Sequence, residues 1–223
     1  YLDRFSVQSL SDAVRLGILW HYGGFYLDSD VVVVRDPGLL EPGFASELIL
    51  RTYSNHAMYF AVPRHPMVGA YMKYFRDNFG AWRWGSTGPG MLGRSYESWL
   101  STCKNDNTCL GCTPWDPIVA SPISHRKCEK LLLGVDTRNR TWEARMSKET
   151  TLVHVHNHQC GYVEDGLITK GRAYTDTLLG SLRAQYCPHS AQRMLELALG
   201  GTLRTASEQA PGLGPSYWWQ KFQ

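Results

Sequence analysis

The stretch SDAVRLGILWHYGGFYLDSD, residues 11–30, decides how the chain is organised. Its first half predicts a helix over residues 9–22, in which Ser9 is a good N-cap. Apolar residues recur at every fourth position along one face of that helix: Leu10, Val14 and Ile18. The glycine pair that follows ends the helix, because glycine readily adopts the left-handed conformation of a helix C-terminus.

A short apolar strand over 25–27 follows the glycines, and the valine run over 31–34 predicts a second strand. Asp28 and Asp30 lie between these strands, at the carboxyl end of the first. Ligands bind at that edge in open α/β sheets, and two carboxylates at i and i+2 can face one cation if the chain turns there. Such hard oxygen ligands suit Mn²⁺ or Mg²⁺. The alternative is an ordinary aspartate-rich turn.

Asp12 and Arg15 stand three residues apart and share one face of the predicted helix. The guanidinium of Arg15 offers a planar fork of donors for phosphate or sugar hydroxyl groups. Each residue has a local alternative, because Asp12 can cap the helix and Arg15 can pair with Asp12. The two residues, the glycine pair, the aromatic strand and the two acids together form a much more specific pattern than any of them alone.

The rest of the chain alternates helices and strands, which predicts an α/β fold. Helices are expected near 66–79, near 90–102 and around Leu178–Tyr186, and a strand is expected over 151–157. Hydrophobic residues make up 43% of the chain and charged residues 19%, which is enough to bury a core. The net charge of +3 is too small to indicate a nucleic-acid partner.

The chain has six cysteines and one N-glycosylation sequon, Asn139-Arg140-Thr141. An even cysteine count beside a sequon favours disulfides formed in an oxidising compartment. Cys109 and Cys112 have the spacing of half a zinc site, but no second pair of this spacing occurs, so disulfides are the preferred interpretation. The stretch 103–128 is predicted to be a loop held by these bridges. No segment has the ~18 consecutive apolar residues of a membrane span.

The block at 11–30 resembles glycosyltransferases that carry S-D-x-x-R followed by Y-G-G-x-Y-x-D-x-D, and it is most similar to the alpha-1,4-glycosyltransferase family of the animal Golgi. Later segments are similar to that family in the same order: WRWGSTGP at 82–89, TLVHVHN at 151–157 and AQYCP at 184–188. The resemblance implies a GT-A-like fold with a mixed, mainly parallel sheet flanked by helices. Residues 1–206 would be the catalytic core, with its first strands upstream of Tyr1, and 207–223 a tail.

The activity implied by the resemblance is a retaining, metal-dependent transfer of a hexose from a UDP-sugar to a hydroxyl of a glycan or glycolipid. Galactose and N-acetylglucosamine are the expected sugars, and Mn²⁺ or Mg²⁺ is the expected cofactor. The protein is expected in the Golgi lumen as a type II membrane protein whose anchor lies outside this chain. Two alternatives stay open: a non-catalytic glycan- or nucleotide-sugar-binding module of the same fold, and a mannosyltransferase that uses GDP-mannose.

The resemblance also implies roles for individual residues. Asp30 would be the direct metal ligand, Asp28 would hold the donor and reach the metal, and His154 would complete the metal site from the late strand. The residues implied to bind the donor, besides Asp28, are Asp12, Arg15, Gly24 and Tyr26. Those implied to shape the sugar and acceptor side are Trp84, Gly88, Pro89 and Asn157.

One departure from the family concerns the late strand, where His156 stands in place of a tryptophan. His154, His156 and His158 then occupy alternate positions and would all point to one side of a strand. Which of the three histidines binds the metal is left open by the sequence. The cysteine-rich stretch 103–128 also differs from the family, so no acceptor specificity is carried over.

Overall fold

The computed structural model of this protein describes residues 7–47, 52–79, 87–103, 111–128, 146, 148–156, 160, 178–189 and 192. Its α-helices are α1 (Val7–Tyr22), α2 (Pro66–Asn78), α3 (Pro89–Cys103), α4 (Pro117–Ala120) and α5 (Leu178–Tyr186). Its strands are β1 (Gly24–Leu27), β2 (Val31–Val33), β3 (Gly43–Ser46), β4 (Tyr53–Phe60), β5 (Thr113–Pro114) and β6 (Leu152–His154). Short 3₁₀ helices span Pro37–Leu39 and His125–Lys127.

The larger sheet has the strand order β1-β4-β3-β5, and a separate two-stranded sheet pairs β2 with β6. Strand β4 is antiparallel to both of its neighbours, β2 is antiparallel to β6, and β5 alone runs parallel to its neighbour β3. The α/β class is therefore confirmed, but the prediction of a mainly parallel sheet is wrong for the described strands. Parallel neighbours require a crossover connection, whereas helices α2 and α3 both follow β4 and do not link strands that lie side by side.

Helix α1 occurs where the sequence predicts it, but two details of the prediction are wrong. The helix begins at Val7, so Ser9 lies within it and is not its N-cap. The buried face holds Asp12, Arg15, Leu16 and Leu19. The predicted apolar face is the exposed one, with Leu10 at 43%, Val14 at 50% and Ile18 at 41% exposure. The inward face combines two leucines with a charged pair whose members neutralise each other, which apolar periodicity alone cannot detect.

The end of α1 depends on Gly23. This glycine has φ +66°, and its N–H donates to the carbonyl of Leu19 at 2.9 Å. A Cβ atom at this position would lie 2.8 Å from the backbone carbon of Val62, so a larger residue would collide with the chain that follows β4. The glycine therefore ends the helix, as the sequence predicts, and its lack of a side chain also permits the close approach to Val62.

Three apolar cores hold the described elements together, the third of which contains Ala45, Ala57, Trp115, Ala120 and Leu152. The first lies between helices α1 to α3 and the larger sheet, and its buried members include Leu19, Phe44, Met58, Tyr71 and Leu92. The second surrounds the β2–β6 pair and α5, and its buried members include Val32, Val153, Ile123 and Leu179. The predicted helices near 66–79, near 90–102 and around Leu178–Tyr186 are confirmed as α2, α3 and α5. Among the described residues, no helix combines the length and the apolar character needed to cross a bilayer.

The cysteines follow the prediction only in part. Cys128 and Cys160 form a disulfide with their Cα atoms 5.4 Å apart, and Cys103 is disulfide-bonded as well. Cys112 is a free cysteine, so it forms no disulfide with Cys109. Its thiol packs in the first core, where burial raises its pKa to about 12. Residues 111–128 also contain β5, α4 and a 3₁₀ helix, so the prediction of a loop is wrong there. The predicted tail at 207–223 and the sequon lie outside the described residues.

Candidate functional site

Asp12 is the centre of a buried polar network that joins three elements. Its side chain projects from α1 and is only 7% exposed. The amide of Asn55, on β4, donates to Oδ1 at 2.7 Å, and the hydroxyl of Thr87, just before α3, donates to Oδ2 at 2.7 Å. Arg15 places Nη1 3.1 Å from the same Oδ1. The carboxylate is therefore surrounded by donors of the protein itself, as a buried charge requires.

Arg15 connects that network to the predicted metal-binding turn. Its Nη2 donates to Asp28 Oδ1 at 2.6 Å, and its guanidinium carbon lies 4.6 Å from the centre of the Tyr26 ring. Although burial by itself lowers the pKa of Arg15, Asp28 and Asp12 raise it overall, so the side chain stays charged. Arg15 therefore lies between two aspartates above an aromatic ring, in a nearly closed environment with 4% exposure.

Asp28 follows β1 and keeps one side open to solvent. Its backbone N–H donates to the carbonyl of His56 on β4, which fixes the end of the strand. Its side chain is 27% exposed, in contrast to that of Arg15. Burial raises the pKa of Asp28, Arg15 and His154 oppose that rise, and the neighbouring Asp30 adds to it. This carboxylate is thus oriented by Arg15 and accessible to a ligand.

Asp30 and His154 come together through the smaller sheet. Val31 pairs with His154 in the register of β2 and β6, and the N–H of Val155 donates to the carbonyl of Asp30 at 2.9 Å. As a result, His154 Nε2 lies 3.4 Å from Asp30 Oδ2. The structure therefore brings together the acidic turn and the late strand, as the resemblance implies.

The late strand is shorter than predicted. It ends at His154, and His156 has φ +57°, so the expected alternation is wrong for His154 and His156. The left-handed turn nevertheless brings the His156 ring to 3.8 Å from the His154 ring, measured between centroids, and His56 stacks on His154 at 4.0 Å. His158, Asn157 and Trp84 lie outside the described residues.

Sequence reasoning missed several side chains that surround this histidine stack. His56 is fully buried, which lowers its pKa well below the ordinary value; Nδ1 lies 2.8 Å from Ser54 Oγ and Nε2 lies 3.2 Å from the carbonyl of Ala120. Glu47 follows β3, and burial raises the pKa of its carboxyl group while His154 opposes that rise. No pattern of spacing in the sequence singles out Glu47, Asn55 or His56, because each meets its neighbours only through the fold.

The predicted acceptor-side residues Gly88 and Pro89 have clear structural roles. Pro89 is the first residue of α3. A Cβ atom on Gly88 would lie 2.8 Å from Asn55 Nδ2, so this glycine permits the amide to reach Asp12. Tyr71 holds the same segment, because its hydroxyl lies 2.7 Å from the carbonyl of Gly88 and 3.1 Å from that of Thr87. Contact of these two residues with an acceptor stays a prediction.

The predicted donor-side residues Tyr26 and Gly24 lie on β1. The Tyr26 ring supports the guanidinium of Arg15, and its hydroxyl lies 3.5 Å from Ser11 Oγ on α1. Gly24 has φ +78°, and an added Cβ atom would meet nothing within 4 Å. The need for glycine at this position is therefore one of backbone conformation.

Two family models match the chain. Residues 3–50 match the glycosyltransferase sugar-binding region containing the DXD motif, and residues 61–194 match the alpha 1,4-glycosyltransferase conserved region. The acidic turn, Arg15 and Asp12 lie within the first match, and His154 lies within the second. No solved structure matches the chain.

Curated relatives agree with these models. The chain is 31% identical over 191 residues to the lactosylceramide 4-alpha-galactosyltransferase of Pongo pygmaeus, covering 83% of this chain and 82% of the relative. The human protein of the same name is also 31% identical over 191 residues, covering 83% of this chain and 50% of the relative. The human alpha-1,4-N-acetylglucosaminyltransferase is 27% identical over 194 residues, covering 83% and 52%. The chain spans about half the length of these human relatives.

Proposed function

Since this chain belongs to the alpha-1,4-glycosyltransferase family, we propose that it transfers a hexose from a UDP-sugar to a hydroxyl group of a glycan or glycolipid. Galactose and N-acetylglucosamine are the sugars named in its relatives. The observation that carries the proposal is the Asp12–Arg15–Asp28 network beside the Asp30–His154 pair. It presents one oriented, accessible carboxylate next to a pair of potential metal ligands.

Within this proposal, Asp28 binds the donor and Arg15 orients Asp28. Asp28 accepts hydrogen bonds from hydroxyl groups of the donor on its open side, while Arg15 keeps its carboxylate charged and oriented. Asp12 acts differently from the role that the resemblance implies. Its two oxygens already accept from Asn55 and Thr87, so we assign it to positioning Arg15 and not to contact with the sugar.

Asp30 and His154, together with Asp28, would hold a divalent cation, Mn²⁺ or Mg²⁺. The separation of 3.4 Å between Asp30 Oδ2 and His154 Nε2 fits this role, because adjacent octahedral ligands at ~2.1 Å from an ion lie about 3 Å apart. Carboxylate oxygens are the ligands that such ions favour, and a neutral imidazole is a common additional metal ligand in proteins. The cation would supply charge neutralisation for the departing diphosphate.

The proposed transfer retains the configuration at the anomeric carbon. The acceptor oxygen forms its bond to that carbon from the same face on which the bond to the diphosphate breaks, and the acceptor proton passes to the leaving phosphate oxygen. This path requires no nucleophile from the protein. The chain contributes by orienting the donor through Asp28 and Arg15 and by electrostatic stabilisation of the separating charges.

We further propose a GT-A-like fold for the whole protein and a location in the Golgi lumen. The fold proposal is supported by the match to the DXD-containing region and by the mixed sheet flanked by helices. The location is supported by the Cys128–Cys160 disulfide, because disulfides persist in oxidising compartments.

A mannosyl donor is the second candidate. The yeast mannosyl phosphorylinositol ceramide synthase CSH1 is 35% identical over 111 residues, covering 43% of this chain and 28% of that protein. A mannosyltransferase of this kind would use GDP-mannose, and the Asp28–Arg15 network would bind the sugar in the same way.

A transfer assay on the full-length protein tests the proposal. UDP-galactose, UDP-N-acetylglucosamine and GDP-mannose are offered with Mn²⁺ or with a chelator, and with lactosylceramide or a neutral oligosaccharide as acceptor. We expect Mn²⁺-dependent transfer from one donor, reduced about 100-fold or more in Asp28→Asn, whose charge is lost at the site. The control is Asp77→Asn, at the exposed end of α2. Donor binding without transfer to any acceptor would instead identify a non-catalytic binding module.

A further inference from the structure

A second group of metal-ligand side chains lies beside the Asp30–His154 pair. Glu47, His154 and His156 each offer one ligand atom, and these three atoms lie within 4.8 Å of one another. Neither Glu47 nor His156 has a part in the transfer derived above. We propose that these three side chains form a separate binding site for a borderline divalent cation of the Zn²⁺ class.

Two of these side chains each have a buried polar atom without a hydrogen-bond partner, and we assign these atoms as ligands. Glu47 Oε2 and His154 Nδ1 are both buried, and neither has a hydrogen-bond partner among the described residues. A buried carboxylate oxygen without a partner is costly, and so is a buried ring nitrogen. A cation bound between them satisfies both atoms at once and balances the charge of Glu47.

His156 is held in the tautomer that a metal ligand needs. Its Nε2 lies 2.8 Å from the carbonyl oxygen of Ile123, which can only accept, so Nε2 carries the hydrogen and donates. Nδ1 is then the nitrogen with a free lone pair. A backbone carbonyl that fixes the second nitrogen of a ligating histidine is a common feature of metal sites. The left-handed backbone at His156, with φ +57°, turns its ring back onto His154.

The ligand set distinguishes this site from the donor site. Two imidazoles and one carboxylate are a set that Zn²⁺ takes in proteins, with a water in the fourth position, whereas Mg²⁺ and Mn²⁺ favour oxygen ligands. A neutral His154 ring has one nitrogen lone pair, so it serves one ion at a time: when Nδ1 binds the inner ion, Nε2 carries the hydrogen and donates to Asp30. Its Nε2 lies 3.4 Å from Asp30 Oδ2, and because its Nδ1 is buried without a hydrogen-bond partner, we assign Nδ1 to the group with Glu47. An ion in the inner site would therefore hold the ring in place without using Asp30.

Zinc titration of the full-length, metal-stripped protein against a chromophoric chelator tests the site. We expect the wild type to bind Zn²⁺ at this site, and Glu47→Gln and His156→Asn each to weaken that binding about tenfold or more. Asp30→Asn should bind Zn²⁺ as the wild type does. The exposed His21→Asn is the matched control for a histidine that takes no part. Circular dichroism verifies that each variant is folded, and Co²⁺ in place of Zn²⁺ reports the ligand geometry by its visible absorption.

Three results would overturn the proposal. The first is a folded wild-type protein that binds no Zn²⁺. The second is an unchanged affinity in Glu47→Gln. The third is an equal loss in Asp30→Asn and Glu47→Gln, which would mean that the bound ion is in the donor site. Each result is read from metal affinity alone, so it is independent of whether the protein transfers sugar.

Discussion

Asp12→Asn removes one charge from the centre of the buried network while keeping the shape of the side chain. Asp12 accepts hydrogen bonds of 2.7 Å from both Asn55 and Thr87, and it lies 3.1 Å from Arg15. Asparagine keeps one accepting oxygen, and its amide must face at least one of these donors. The variant therefore loses a hydrogen bond, and Arg15 loses one of its two aspartates.

The expected cost follows from those contacts. A hydrogen bond to a charged group contributes roughly 1.5–3 kcal/mol, and breaking a buried ion pair costs roughly 3–5 kcal/mol. Because Arg15 keeps Asp28, we expect the free energy of unfolding to fall by about 3–4 kcal/mol. For a chain of this size, with ~2–4 °C lost per kcal/mol, the melting temperature would fall by about 6–16 °C.

Thermal unfolding followed by circular dichroism measures this change. Asp77→Asn is the control, because Asp77 is an exposed carboxylate that pairs with Arg76, and its removal should leave the melting temperature unchanged. A melting temperature for Asp12→Asn within about 2 °C of the wild type, ~0.5–1 kcal/mol at this size, would refute the view that this carboxylate holds the network together.

Two further predictions concern packing and pH. Gly88→Ala places a Cβ atom 2.8 Å from the amide nitrogen of Asn55, so we expect the free energy of unfolding, measured in urea, to fall by ~1–3 kcal/mol. Gly17→Ala is the control at an exposed position of α1, where an added Cβ atom meets nothing within 4 Å, and it should raise that free energy by ~0.5–1 kcal/mol. Equal effects of the two substitutions would contradict this reasoning. Burial lowers the pKa of His156 from 6.5 to about 3 in the metal-free fold. Below pH 6.5 the unfolded chain therefore binds a proton that the folded chain does not, so the free energy of unfolding is highest above pH 6.5 and falls as the pH is lowered toward 3. Between pH 6.5 and 5 the free energy of unfolding of the wild type should fall by about 1.6 kcal/mol more than that of His156→Asn, and asparagine is chosen because it tolerates positive φ. Parallel pH profiles would show that His156 does not titrate this way.

The sequence predicts local structure well where the signal is local. The glycine pair after Tyr22 ends α1, and Pro66 begins α2, since both depend on backbone geometry of neighbouring residues. The inward face of α1 was not predictable by apolar spacing, because Asp12 is buried through partners far along the chain; Asn55 and Thr87 lie 43 and 75 positions away. Strand direction failed for a similar reason, since pairing is decided by connections between distant segments.

The candidate site was predictable to the extent that a family resemblance supplies tertiary information. The resemblance implies that His154 lies beside the acidic turn, and in the structure its Nε2 lies 3.4 Å from Asp30 Oδ2. Glu47 and His56 could not be predicted in this way, because neither lies in a segment that resembles the family and both approach His154 only in the folded chain. The left-handed turn at His156 was also missed, since a non-glycine residue with positive φ is uncommon.

Calorimetric titration of UDP-sugars into the full-length protein, with and without Mn²⁺, tests whether Asp28, Asp30 and His154 form a metal-dependent donor site. Asp30→Asn is the decisive variant, because it removes one carboxylate charge from the proposed donor site and leaves Arg15 and Asp28 paired. We predict that one UDP-sugar binds only with Mn²⁺ and that Asp30→Asn abolishes this binding while the protein stays folded. Binding that is equally tight without Mn²⁺, or unchanged in Asp30→Asn, would contradict the account.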